Sequence, residues 1–160
     1  MLRELQVTQD KPANSMYKAG EETITTGMAV VKNETNKTFE FASAETASDL
    51  FFVDKERIPT GVNAAKTDMS DYDDDFVTLK ENEFGKLITY YVGERFAIDQ
   101  YVEDGLVDGV RVSVGTDGKI KKATIASRYK FGGFMDDNGH KLAIIEVSDT
   151  AVANTAAAGK

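Results

Sequence analysis

The sequence predicts an all-β (mainly β) domain, a compact sandwich or barrel of short antiparallel strands with an extended N-terminal arm. Three observations lead there. Apolar and polar residues alternate with period two, most clearly where Val110, Val112 and Val114 enclose Arg111 and Ser113. Glycine-containing turn pairs punctuate the chain, with Asp117-Gly118 and Asn138-Gly139 the strongest hairpin signals. No amphipathic run is long enough for three helical turns.

Taken in order, residues 1–19 read as an arm, with Leu2, Leu5 and Val7 loosely spaced ahead of Pro12, Asn14 and Ser15. From Gly20 the β signals gather: Thr23-Ile24-Thr25, then Met28-Ala29-Val30-Val31, then Phe39 and Phe41 around Glu40. The 42–49 stretch is small and polar, and Thr46 with Asp49 has capping-box spacing, which predicts a short helical turn. Leu50-Phe51-Phe52-Val53 is a buried strand, too short for a helix. Residues 63–75 form an acidic surface loop, and Phe76-Val77-Thr78-Leu79 resumes the strand pattern. Leu87 to Val92 and Phe96-Ala97-Ile98 are two more strands, parted by Gly93.

Beyond Asp117-Gly118, the residues Ala123, Ile125, Tyr129 and Phe131 line an apolar face on which Ser127 is the one polar member. Lys122, Thr124, Arg128 and Lys130 take the opposite face. Gly132-Gly133 reads as a bulge or turn between Phe131 and Phe134. Leu142 to Val147 is a strand buried on both faces for most of its length. The domain then spans 20–148, with a flexible C-terminal tail at 149–160.

Size and composition bound the function. A chain of 160 residues buries roughly 70% of its unfolded surface, so it needs no disulfide or metal to fold. It has no cysteine, which removes thiolate catalysis and thiolate zinc sites. Its formal net charge is −8, which disfavours nucleic acid as a partner. No apolar run approaches the roughly 20 residues that cross a bilayer, and no secretory leader is recognisable. Neither membrane nor export is expected.

The candidate chemistry is sparse. Asp68, Asp71, Asp73, Asp74 and Asp75 are oxygen ligands in principle, but no glycine falls within the run as a calcium loop requires, and a solvated loop is the plainer reading. His140, the one histidine, sits beside a hairpin turn with no nucleophile in evidence. Glu94, Asp99, Glu103 and Asp104 cluster in sequence and are the acids a polysaccharide hydrolase would use. Lys119, Lys121, Lys122, Arg128 and Lys130 form a basic strip that reads as the solvent face of a sheet. We therefore expect no enzyme, no catalytic or metal-binding residues and no cofactor.

Several stretches carry a family likeness: Gly27-Met28-Ala29-Val30-Val31, Leu50-Phe51-Phe52-Val53-Asp54, the run from Val92 through Tyr101, Gly109 to Val114, and Asp117-Gly118-Lys119. Over about residues 24–147 the chain resembles small virion structural proteins of tailed phages, particularly head decoration or capsid cement proteins. The resemblance implies a protein made in the host cytoplasm and assembled on the capsid surface of the virion. There it would bind the major capsid protein from outside, stabilise the shell, and associate with copies of itself, for example as a trimer. On that reading Leu2, Leu5, Val7, Met16 and Tyr17 of the arm are the capsid-binding residues, ordering on docking or adding a strand to a sheet edge. Three alternatives stay open: a tail-tube or tail-completion subunit, a carboxylate-dependent polysaccharide hydrolase, and a calcium-binding module.

Overall fold

The computed structural model describes residues 1–8, 16–20, 23–55 and 77–154, and every named element among them is a strand. In chain order these are β1 (Leu2–Gln6), β2 (Lys18–Ala19), β3 (Ala29–Asn33), β4 (Thr38–Glu40), β5 (Phe51–Asp54), β6 (Lys86–Ile88), β7 (Arg95–Ile98), β8 (Val112–Val114), β9 (Ile120–Lys122), β10 (Ser127–Asp137) and β11 (His140–Val152). They form a four-stranded sheet in the order β1-β7-β11-β10, a five-stranded sheet in the order β2-β4-β3-β5-β6, and a β8-β9 ribbon. All pairings are antiparallel except β2 with β4. The mainly β class expected from alternation and turns is the class observed.

Side-chain period explains the layers. Phe96 and Ile98 of β7 point to one face, as do Ala143, Ile145 and Val147 of β11 and Tyr129 and Phe131 of β10. They pack with Ala29, Phe52 and Ile88 of the five-stranded sheet to form the main core, while Val112, Val114 and Ile120 of the ribbon add to it. The five-stranded sheet is covered on its other face too, where Val30, Val53, Leu87 and Phe39 pack with Tyr17, Ile24 and Leu79. That double cover is why Phe52 and Val53, adjacent and pointing opposite ways, are both fully buried. It also explains why this strand reads as an unbroken apolar run.

The turns follow their residues. β10 and β11 meet across Asn138 and Gly139, both at positive φ, with Asp137 opposite His140 in a two-residue hairpin. In the β8-β9 turn, Gly118 has a φ of 71°, and a Cβ there would stand 2.6 Å from the Phe41 ring. Gly132 and Gly133 face the single residue Ile144, so the pair is a bulge, as the flanking phenylalanines suggested.

Both chain ends depart from expectation. Residues 2–6 are an integral edge strand: Leu2 pairs with Ile98, Arg3 with Ala97, Glu4 with Phe96 and Gln6 with Arg95, with an irregularity at Leu5. Met1 is buried, and its ammonium donates to Thr26 O at 3.0 Å and Asp99 Oδ1 at 2.5 Å. Burial lowers the pKa of that ammonium despite the opposing pull of Asp99. Burial, and then the nearby Glu4 carboxylate, pushes the Tyr90 hydroxyl above its ordinary pKa. Lys18 and Ala19 form β2 and Tyr17 lies in the second core, so a free arm does not describe residues 1–8 or 16–19. The physical reason is the edge of β7, which offers β1 a backbone ladder that local spacing does not reveal. Pro12, Asn14 and Ser15 lie outside the described residues.

The expected tail is likewise built in as far as residue 154. β11 continues to Val152, and Asn154 accepts from Arg111 N at 2.7 Å and donates to Arg111 O and Ala123 O. Residues 155–160 and the acidic 63–75 loop fall outside the described residues.

Smaller corrections share one cause, cover supplied by distant chain. Ser113, expected on an outer face, is buried because Thr46 bridges Val114 and Glu45 Oε1 accepts the Ser113 hydroxyl at 2.5 Å. That bridge also replaces the helical turn expected at Thr46. Of the strand expected at 76–79, the described part holds only a bridge between Thr78 and Thr25. Ile125 is 37% exposed, because β9 ends at Lys122 and the alternation lapses before β10.

Ser127 shows how the apolar face tolerates a hydroxyl. Its Oγ donates to Val112 O at 2.5 Å and accepts from Tyr129 N at 3.0 Å, so a buried polar group is satisfied twice. Ser127→Ala strands both backbone partners and lowers unfolding free energy by about 1–3 kcal/mol in urea titration. An unchanged midpoint would show that the two bonds contribute nothing net.

Candidate docking surface

The four carboxylates that suggested hydrolysis do not act together. Glu94 is fully buried: Oε1 accepts from Thr8 N and Thr8 Oγ1, both at 2.9 Å, and Oε2 accepts from Tyr91 N at 2.7 Å. Asp99 holds the Met1 ammonium and accepts from Gln100 Nε2. Glu103 pairs with Lys141, and Asp104 lies exposed in the following turn. The three with described partners thus serve the N-terminus, a turn and a neighbouring strand.

Other polar candidates are similarly occupied. Partial burial alone would raise the Glu45 pKa, but hydrogen bonds from the Ser113 hydroxyl, Thr124 Oγ1 and Thr124 N, with Lys121 nearby, hold it at about 2. In the basic strip, Lys121 faces Glu45 at 3.7 Å and Lys130 faces Glu146 at 3.0 Å. The Arg128 guanidinium lies over the Tyr129 ring, 5.4 Å from its centroid. Two of the five cations, Lys121 and Lys130, thus face carboxylates, which reduces the net positive charge of the strip. His140 opens β11 in an exposed position, and Asp68 through Asp75 lie outside the described residues. Among the described residues, no three His, Asp or Glu gather closely enough to hold a metal.

The five residues expected to bind a capsid divide sharply. Leu2 packs against the main core. Tyr17 is buried, donates its hydroxyl to Glu34 Oε2 at 2.6 Å, and stacks its ring under Lys32. Tyr17 is thus enclosed, whereas Leu2 is half-buried against the core. Leu5, Val7 and Met16 are exposed at 43%, 42% and 74%.

Leu5 and Val7 have company that the sequence did not announce. Tyr91 and Val92 are 40% and 51% exposed in a turn closed by Glu94 N donating to Tyr91 O. Glu94 is the clasp: it bonds Thr8, next to Val7, and also the Tyr91 amide, so the four apolar side chains belong to two segments tied at one carboxylate. The apolar composition of Tyr91-Val92 predicts the end of a strand, but the two residues lie in the turn that Gly93 signals.

A polar row borders this patch. Gln6, Arg95, Glu146 and Lys130 stand in register across β1, β7, β11 and β10. Glu146 bonds Arg95 at 2.6 Å and Lys130 at 3.0 Å. An apolar centre with a polar rim is the anatomy of a protein-binding surface. The free edge of β1 is a poor template for strand addition, since Arg3, Glu4 and the irregularity at Leu5 all discourage pairing.

Comparison with protein-family models, curated proteins and solved structures found no match.

Two outcomes follow from these carboxylates. Glu94→Ala leaves three donors without their acceptor and destabilises the fold by about 2–3 kcal/mol in chemical denaturation; a loss within error of zero refutes the clasp. For Glu45, the folded pKa of about 2 lies below the ordinary carboxylate value of 4.5, so its contribution is complete above that value and disappears as pH falls toward 2. Acid titration of the wild type should show that loss, on the order of 2 kcal/mol, and Glu45→Gln should flatten it. Parallel acid profiles would count against the Glu45 network.

Proposed function

We propose that this chain is a structural protein of a tailed-phage particle that docks on the outside of the capsid shell and stabilises it. The observation that carries the reading is the set of exposed apolar side chains Leu5, Val7, Tyr91 and Val92, drawn from the end of β1 and the 91–92 turn, which Glu94 ties together, with the Arg95–Glu146 ion pair in the adjoining strands. Its supports are the all-β body, the acidic balance that suits an outer surface, and carboxylates engaged in folding. The resemblance of residues 24–147 to decoration proteins points the same way. The major capsid protein is the proposed partner, and copies meet one another on the particle.

Docking on this reading is rigid-body contact by side chains of β1 and the 91–92 turn. It differs from an arm that orders on arrival, because β1 already belongs to the sheet. Deleting residues 1–17 would strip a strand from β7, so the informative changes are single exposed side chains.

Leu5→Asp with Val92→Asp, in one chain, should weaken binding to emptied capsid shells of the encoding phage more than about tenfold in co-sedimentation. Circular dichroism should remain that of the wild type. Val107→Asp, beyond the opposite edge of the same sheet, should bind normally. Wild-type binding by the double variant, or no binding by the wild type, would defeat the proposal.

A further inference from the structure

The Asn138-Gly139 turn contains a residue pair that is chemically prone to deamidation. In an Asn-Gly pair, the glycine amide nitrogen, after losing its proton, attacks the asparagine Cγ. An N–Cγ bond forms, ammonia leaves, and a five-membered imide results. Water then opens the imide at either carbonyl, giving aspartate or an isoaspartate whose backbone runs through Cγ.

In the folded chain, Gly139 N donates to Asp136 Oδ1 at 3.1 Å. Asn138 Nδ2 donates to Asp137 Oδ1 at 3.3 Å. Both turn residues hold positive φ, 55° for Asn138 and 86° for Gly139. We infer that Asp136 guards this peptide: ring closure is slow in the folded hairpin, and Asn138 becomes a site of hydrolytic modification once the hairpin opens. A carboxylate accepting the N–H stabilises the protonated amide, and its charge opposes a second negative charge on the nitrogen. Closure also requires Gly139 N to leave Asp136 and turn to Cγ, which needs local opening.

The consequence is directional. Isoaspartate lengthens the backbone within a two-residue loop whose geometry sets the register of β10 against β11. A chain that becomes isoaspartyl while unfolded is therefore barred from regaining the hairpin, whereas the aspartyl product keeps the normal main chain, so prolonged unfolding becomes irreversible for the isoaspartyl fraction.

Peptide mapping with isoaspartate detection tests this in mildly alkaline buffer. Folded wild type should lose the Asn138 amide more than about tenfold more slowly than the same chain in concentrated urea. Asp136→Ala should react about threefold or more faster than folded wild type, and Asp136→Asn, which keeps an acceptor without charge, should fall between. Circular dichroism confirms that the variant compared is folded, and Asp136→Asn serves alone if Asp136→Ala is not. Equal rates for folded and urea-unfolded wild type would overturn the inference, as would folded variants no faster than wild type.

Discussion

The stacking of Phe96 between the two sheets is the constraint on which the body depends. Its ring lies 4.0 Å from that of Tyr90 at an interplanar angle of 10°, and 4.5 Å from Phe52. Phe52 also meets Tyr129 edge-on at 6.1 Å. These four rings bring together β5, the neighbouring segments around Tyr90 and β7, and β10, three regions far apart in sequence. Each buried ring contributes roughly 1.5–3 kcal/mol through area removed from water, and well-oriented pairs add about 0.5–1.5 kcal/mol. Fixing Phe96 fixes the register of β7, and β7 in turn presents the edge that β1 occupies.

Much of this body was legible in the sequence, and the exceptions have one origin. Alternation at Val112 and Val114, the two glycine turns, and the apolar run at 50–53 each depend on near neighbours, and each appears where expected. Alternation says which side chains share a face, but not what lies over that face. Ser113 is therefore buried under Glu45 and Thr46, although its own strand would place it in solvent. Asn154 ends the β11 region by bonding Arg111 and Ala123, a long-range partnership invisible in an alanine-rich terminus.

The candidate surface was half legible for the same reason. Leu5, Val7 and Met16 were singled out as apolar side chains in a polar segment, and they are exposed. Tyr17 satisfied the same criterion but fills a core built by distant strands, and Leu2 is half-buried against the main core. Tyr91 and Val92 escaped notice because strand-like composition concealed a turn. Glu94 stood out as a candidate acid, yet its burial with three donors makes it the residue that positions both halves of the patch.

The proposed function rests on β1 being part of the folded body, because only then is the apolar patch preformed. Amide hydrogen exchange, resolved by residue, tests that placement most directly. The β1 amides directed at β7 should exchange as slowly as those in the middle of β7. Exchange at the rate of unstructured peptide across residues 2–6, with β7 still protected, would contradict the account.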